Sequence, residues 1–127
     1  MAGLPYREMI AWQKGYALAL AVVRIAQGWQ EPRLWAFRDQ VIRSAMSVPA
    51  NIAEGHGRGT QIDFAGFLDR ARGSLFELDT WLLAARDLGQ LGDNEHTRFA
   101  ADIAEVNAIL FSLRATLHRK AKTEPRR

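Results

Sequence analysis

The residue types with most chemical capability lie close together in one stretch of the chain. Arg43, Asn51, Glu54 and His56 supply a guanidinium, an amide, a carboxylate and an imidazole within fourteen residues. Arg43 and Glu54 are eleven residues apart, which places them on nearly the same side of a helix. Such a group could perform acid–base chemistry. We favour a structural role instead, because a carboxylate buried in a helical protein needs hydrogen-bonding partners. We therefore predict a protein that is not an enzyme and has no catalytic residue.

Metal and cofactor chemistry has little support in the sequence. The three histidines, His56, His96 and His118, form no pair with metal-site spacing on one helix face, and no Glu-x-x-His pair occurs. Without cysteine there is no thiolate ligand or nucleophile. The glycine-rich segment 55–59 follows no strand, so it is not a nucleotide-binding fingerprint. We expect no metal and no cofactor.

The helix that must position these residues carries two stripes. The apolar stripe comprises Phe37, Val41, Ala45, Val48 and Ile52. The polar stripe comprises Gln40, Ser44, Ser47, Asn51 and Glu54. Small hydroxyls and amides suit a packed, hydrogen-bonded seam better than open water, and Arg43, Arg72 or Ser74 could pair with Glu54. Pro49 should kink this helix, and Gly55 should end it as a C-cap.

Four amphipathic helices account for most of the chain. The predicted ranges are about 7–27, 34–54, 61–87 and 94–117, which form one domain over 1–118. Thr60 and Asp63 predict a cap at the third helix, Gly89 is a C-cap for it, and Asp93 is an N-cap for the fourth helix. Gly15 indicates a close helix crossing. No strand pattern is present, so the predicted fold is all-α, an antiparallel up-down-up-down bundle.

The predicted cores follow helical spacing. The first helix should bury Met9, Trp12, Tyr16, Ala19 or Leu20, Val23 and Ala26. The third should bury Phe64, Phe67 or Leu68, Ala71, Leu75, Leu78, Leu82 and Ala85, and the fourth Phe99, Ile103, Val106, Leu110, Leu113 and Leu117. The small segment 71–74 should lie against Ala45, Ala50 and Ala53 of the second helix. Trp12, Trp29, Trp35 and Trp81 are a surplus for one small core, so either some of them lie at subunit contacts or they fill the ends of the bundle.

Charge is distributed unevenly along the chain. The whole chain has a net charge of +3. The segment 119–127 has five basic residues and one acidic residue, Glu124, so its positive charge exceeds that of the whole chain. The body is therefore close to neutral, and the end is a basic tail that we expect to be frayed or disordered. The longest apolar run is too short to span a bilayer, and the N-terminus does not resemble a signal peptide. We expect a cytoplasmic protein without membrane contact.

The central stretch also carries a family resemblance. The matching residues there are Gln40, Arg43, Ala45, Ser47, Val48, Pro49, Asn51, Ile52, Ala53, Glu54, Gly55 and Arg58, and the likeness continues into Phe67-Leu68, 71–75, Glu77-Leu78 and Leu88-Gly89. The sequence resembles bacterial four-helix-bundle proteins encoded in intervening sequences of large-subunit ribosomal RNA genes. Accessory variability determinant proteins of diversity-generating retroelements are related to that family. Ile42 departs from the pattern, since the family often has a basic residue there.

The resemblance implies a ring-shaped homopentamer and structural roles for most of the motif. Those structural residues are Gln40, Arg43, Ser47, Pro49, Asn51, Glu54, Gly55, Gly73, Ser74 and Glu77. It also implies a module that binds RNA, DNA or a nucleic-acid enzyme such as a reverse transcriptase. Candidate nucleic-acid contacts are Arg119, Lys120, Lys122, Arg126, Arg127, Arg43 and Arg58. The alternative is a protein-interaction scaffold with no nucleic-acid role, which the neutral body and Ile42 favour.

Overall fold

The computed structural model describes residues 3–123, and these are almost entirely helical. A short 3-10 helix, Pro5–Glu8, precedes α1 (Ile10–Ala26), and a second, Pro32–Leu34, precedes α2 (Trp35–His56). The chain continues through α3 (Gln61–Asp87) and α4 (Asp93–Ala121). Residues 3–123 contain no strand, which confirms the predicted all-α class.

Side-chain contacts show that consecutive helices run antiparallel. Ser47 contacts Ser74 while Gly55 faces Phe67, so α3 descends along α2 as α2 rises. Arg72 contacts Asn107 and Asp69 pairs with Arg114, which gives α4 the opposite direction to α3. Gly15 near the start of α1 faces Ile52 near the end of α2, while Trp29 after α1 stacks on Phe37 near the start of α2, so this pair is antiparallel too. The four helices therefore pack as an up-and-down arrangement around one core.

The core follows the predicted stripes in three of the four helices. All the predicted α3 positions are buried, Leu113 is the one α4 position that is only partly buried, and in α2 this is true only of Phe37. The stripe predicted for α1 is only partly correct. Ala19 and Ala26 are buried as predicted, but the helix also buries Ala11, Gly15, Leu18 and Val22. Tyr16 is exposed, and Trp12 stacks on it with ring centroids 4.8 Å apart. Gly15 thus faces Val48 and Ile52 of α2, while the larger Trp12 is only partly buried against the core.

Two small-residue predictions have different outcomes. The close crossing at Gly15 is confirmed: a Cβ built there would lie 3.3 Å from Val48 Cγ1. The predicted close approach at segment 71–74 is only partly correct. Ala71 and Ala45 are fully buried, but Ala50 and Gly73 are exposed, and nothing lies within 4 Å of a Cβ built on Gly73.

Several helix ends differ from their predicted positions. Pro5 begins a separate 3-10 turn, so α1 starts at Ile10. Gly55 does not cap α2 but lies inside it, and the helix ends at His56 with Gly57 following. Gly92 holds the N-cap position of α4, where the Glu95 carboxylate accepts from its N–H at 3.0 Å. Asp93 is therefore the first helical residue rather than the cap.

Other ends agree with the sequence. The Thr60 hydroxyl accepts from the Asp63 N–H at 3.2 Å, which caps α3. Gly89 has a φ of +79°, the left-handed conformation that glycine adopts most easily after a helix. Pro49 is buried in the middle of α2, and helical structure continues through it without a break. The bend at Pro49 stays a prediction.

Ion pairs connect α4 to both neighbouring helices. Lys14 Nζ lies 2.8 Å from Glu105 Oε1, joining α1 to α4, and Arg114 pairs with Asp69 of α3. The hydrogen bond to Glu105 raises the pKa of Lys14 above its ordinary value. This contribution is therefore present below the unfolded pKa of lysine and is lost only in strong alkali. Within residues 3–123, no helix is long and apolar enough to cross a membrane.

Candidate functional site: a polar seam and a basic end

The polar residues of α2 form a hydrogen-bonded seam against α3. The Asn51 amide Nδ2 donates to the backbone oxygen of Ser47 at 2.8 Å and to its hydroxyl at 2.9 Å. The Ser74 hydroxyl lies 2.9 Å from the Ser47 hydroxyl and links the two helices. We call Ser47, Asn51 and Ser74 the polar seam. Each member is partly buried, so the seam supports packing of α2 on α3 and retains limited contact with water.

Glu54 does not belong to this seam. Its side chain is 57% exposed and accepts from Arg58 Nη2 at 3.2 Å, one turn along the same part of the chain. Pairing with Arg43, Arg72 or Ser74 was therefore a wrong prediction. Arg72 instead donates from Nε to Asn107 Oδ1 at 3.0 Å. The polar stripe of α2 therefore contacts α3 at Ser47, whereas Glu54 at the end of the stripe is exposed to solvent.

The other motif residues occupy separate positions along α2 and α3. Gln40 is partly buried. Ser44 is buried, and its hydroxyl donates to the backbone oxygen of Val41 at 3.0 Å. Glu77 is exposed and accepts from Trp81 Nε1 at 3.2 Å. Arg43 is exposed and forms no hydrogen bond or ion pair with another residue of the range 3–123.

The residues that suggested acid–base chemistry are not assembled into one site. Arg43 and His56 are thirteen residues apart on α2, a rise of about 20 Å at 1.5 Å per residue. The His56 ring packs edge-on against Phe64, with centroids 5.6 Å apart. Asn51 is engaged with Ser47, and Glu54 with Arg58. No cluster of three potential metal ligands occurs in residues 3–123.

Several predicted nucleic-acid contacts do come together at one end of the bundle. The antiparallel topology places the α2–α3 loop beside the last turn of α4, and Gly59 and Lys120 line the same surface pocket. Arg58 belongs to that loop, while Arg119, Lys120 and Lys122 belong to the α4 terminus. We call these four residues the basic end. All four side chains are exposed.

This α4 terminus corrects the predicted tail boundary. Helix α4 continues to Ala121, with Lys122 at its C-cap, so Arg119 and Lys120 are helical rather than frayed. Basic side chains in a last turn interact favourably with the negative end of the helix dipole, which supports this extension. Arg126 and Arg127 lie outside the described residues.

Arg70 lies near the basic end and was not predicted from the sequence as a candidate contact. The guanidinium carbons of Arg58 and Arg70 lie 4.9 Å and 4.7 Å from the ring centroid of Phe67. Phe67 thus holds two guanidinium groups from different elements on one surface. The i,i+3 spacing of Phe67 and Arg70 on α3 was a usable signal, but Arg58 reaches the ring only through the tertiary fold. Arg43 lies about 20 Å along α2 from His56, the last residue of that helix, and is not part of this group.

Exposed aromatic side chains form a second candidate surface. The Arg72 guanidinium carbon lies 5.9 Å from the Phe76 centroid and 5.1 Å from the Phe111 centroid. Both rings are more than half exposed, and Trp35 at the start of α2 is 49% exposed. Trp29 is buried, so the tryptophan surplus is only partly used by the core. Large aromatics and arginine are the residue types that protein interfaces favour.

The fold and these surfaces define an all-helical, antiparallel four-helix protein. The family model described as 23S rRNA-intervening sequence protein matches residues 7–112, and the chain belongs to that family. No curated protein matches the chain.

One similar solved structure supports the fold. It is a protein with unknown function from the S23 ribosomal protein family of Bacteroides thetaiotaomicron VPI-5482. The two chains are 23% identical with a TM-score of 0.77, and the match covers 82% of this chain and 97% of the other. At this sequence identity the similarity supports the fold but gives no information about function.

Proposed function

We propose that this protein is a non-enzymatic homo-oligomer, a pentameric ring, that binds the phosphate backbone of nucleic acid. The observation that carries the proposal is the convergence of Arg58, Arg119, Lys120 and Lys122 at one end of the bundle. Clustered cations supply affinity for the phosphate backbone without base readout. The description of the family by an intervening sequence in ribosomal RNA genes adds support for an RNA ligand.

Assembly strengthens this interaction through repetition. A ring with the basic ends on one rim presents three cations from each subunit that have no acidic partner among residues 3–123, Arg119, Lys120 and Lys122, beside Arg58, which pairs with Glu54. Such a rim engages several phosphates at once. The exposed Trp35, Phe76 and Phe111 offer contact surface between subunits. Gel filtration with light scattering should give a mass of about five times 14.3 kDa. A mass of one chain across micromolar concentrations would refute the ring.

The binding test is a salt titration with single-stranded RNA and with duplex DNA. Each phosphate that the protein neutralises should contribute a slope of about −0.7 for single strands and about −0.9 for duplex in a log–log plot. The variant Lys120→Gln/Lys122→Gln removes two cations of the basic end without removing helix α4. It should bind more weakly. Its log–log slope should be closer to zero by about twice the slope of one neutralised phosphate for each subunit that contacts the nucleic acid.

A matched control removes two cations at the opposite end of the bundle. Arg24 near the end of α1 and Arg98 near the start of α4 are exposed, and Arg24→Gln/Arg98→Gln changes the net charge equally. This control should retain the wild-type slope. Equal weakening of the two variants would show that only net charge matters and would refute the basic end as the contact.

A second candidate function is a protein-interaction scaffold, which the arginine between two exposed phenylalanine rings favours. Its partner in that case is a protein, such as a nucleic-acid enzyme of the reverse transcriptase class. Absence of RNA and DNA binding by an intact oligomer at low salt would reject the first proposal and leave this one.

A further inference from the structure

A surface pocket at the basic end has the composition of a small-molecule site. The pocket has a volume of about 390 Å³ and lies between the start of α1, the α2–α3 loop and the end of α4. Three separate parts of the chain therefore build it. A pocket of a few hundred Å³ with apolar walls and a few polar groups is typical of ligand sites.

The floor of this end pocket is apolar. Phe64 and Leu117 are buried at 9% and 4% exposure, and Met9 and Leu113 pack partly buried against the same core. These side chains leave an apolar surface in contact with water inside the pocket. A ligand with an apolar body would remove that surface from water, which is favourable.

The rim of the end pocket is polar and carries positive charge. Lys120, His56 and Gln61 line it, and no aspartate or glutamate does. Lys120 forms no ion pair with an acidic residue of the range 3–123, and its ammonium is exposed. The Thr60 hydroxyl, also at the rim, already accepts from the Asp63 N–H. The remaining rim groups thus favour an anion.

We infer that the end pocket binds a small amphipathic anion, with its apolar body on Phe64, Leu113 and Leu117 and its charged group beside Lys120. The site goes beyond the proposed phosphate-backbone contact, because it requires the apolar floor as well as the cation. An aliphatic carboxylate and a nucleoside monophosphate share this chemistry. Octanoate and adenosine monophosphate are therefore the two probes, and they separate an aliphatic from an aromatic ligand.

The methionine methyl groups report on the pocket directly. The chain has three methionines, of which Met9 lines the pocket and Met46 packs against the core of the bundle on α2. Carbon-13 methyl spectra of the full chain are recorded during titration with each probe, and Met9→Leu assigns the signal. At least one probe should shift the Met9 signal saturably at millimolar concentration while the Met46 signal stays in place.

Two single-charge variants distinguish a site from diffuse attraction. Lys120→Gln should weaken binding by about tenfold, as expected for loss of one charge-assisted contact. Arg24→Gln removes an exposed cation at the opposite end of the bundle, which does not line the pocket, and should retain the wild-type affinity. Equal weakening by both variants, or no saturable Met9 shift with either probe, would overturn the inference. RNA binding can fail without affecting this result, so the two proposals are tested separately.

Discussion

Gly55 of α2 lies against Phe67 of α3 with no room for a side chain. A Cβ built on Gly55 would be 2.5 Å from the Phe67 Cβ and 3.0 Å from Phe64 Cδ1. Real Cβ atoms do not approach each other this closely, so any larger residue forces the two helices apart. The glycine therefore sets the distance between α2 and α3 near the basic end.

The first prediction concerns this contact. Gly55→Ala should destabilise the protein by about 1–3 kcal/mol, since overpacking displaces backbone as well as side chains. Urea unfolding followed by circular dichroism measures the change. Gly73→Ala is the matched control, because Gly73 is exposed in the middle of α3 with nothing within 4 Å of its built Cβ. It should stabilise the helix by up to about 1 kcal/mol. Similar unfolding midpoints for the two variants would contradict the contact.

Gly55 also shows what the sequence could predict about the fold. Period and composition predicted four helices and the buried faces of α2, α3 and α4, because these signals are local and repeat along each helix. The role of Gly55 depends on Phe67, twelve residues away on another helix, and a glycine near a helix end resembles a C-cap in sequence. The same limit explains the partly wrong stripe in α1, where the small residues Ala11 and Gly15 are buried and the aromatic Tyr16 is exposed.

The second prediction tests the polar seam with a double-mutant cycle. Ser47→Ala removes the hydroxyl that accepts from both Asn51 and Ser74 but leaves the bond from Asn51 to the Ser47 backbone oxygen. Ser74→Ala removes the bond between helices. Each variant should lose about 1 kcal/mol of unfolding free energy. The double variant should lose less unfolding free energy than the two single losses added together, by about 0.5–1 kcal/mol, because their shared bond is lost only once.

The control cycle pairs Ser47→Ala with Thr80→Ala, whose hydroxyl bonds within α3, and there the two losses should add. Additivity in the first cycle as well would mean that the seam hydroxyls are not coupled.

The third prediction revises the importance of Glu54. A buried Glu54 would imply a loss of roughly 1–3 kcal/mol on substitution by alanine. In the structure the side chain is 57% exposed and, among residues 3–123, has only Arg58 as a partner, so Glu54→Ala should change the unfolding free energy by less than about 0.5 kcal/mol. Chemical unfolding in low salt provides the measurement. A loss above 1 kcal/mol would indicate that Glu54 becomes buried when chains assemble.

The candidate site was partly predictable for related reasons. The excess of basic residues at the end of the chain is visible in the sequence, and it identified Arg119, Lys120 and Lys122. Their meeting with Arg58 depends on the number and direction of the helices, which the predicted bundle supplied. The position of Arg58 over Phe67 and the apolar floor of the end pocket depend on tertiary placement of side chains, for which sequence periodicity has no signal.

The last prediction concerns Trp35 and rests on the proposed assembly. Its indole is 49% exposed at the start of α2, with the Arg38 guanidinium carbon 5.8 Å from the ring centroid. A large exposed ring held beside an arginine contributes little to folding of one chain but is a typical anchor of a protein interface. Trp35→Ala should therefore leave helix content unchanged and make the oligomer dissociate at a concentration at least about tenfold higher. Light scattering across a dilution series measures this shift.

Leu88→Ala is the control, since Leu88 is 62% exposed in the α3–α4 loop and is also apolar. An unchanged dissociation profile for Trp35→Ala, or an equal shift in both variants, would exclude Trp35 as a subunit contact.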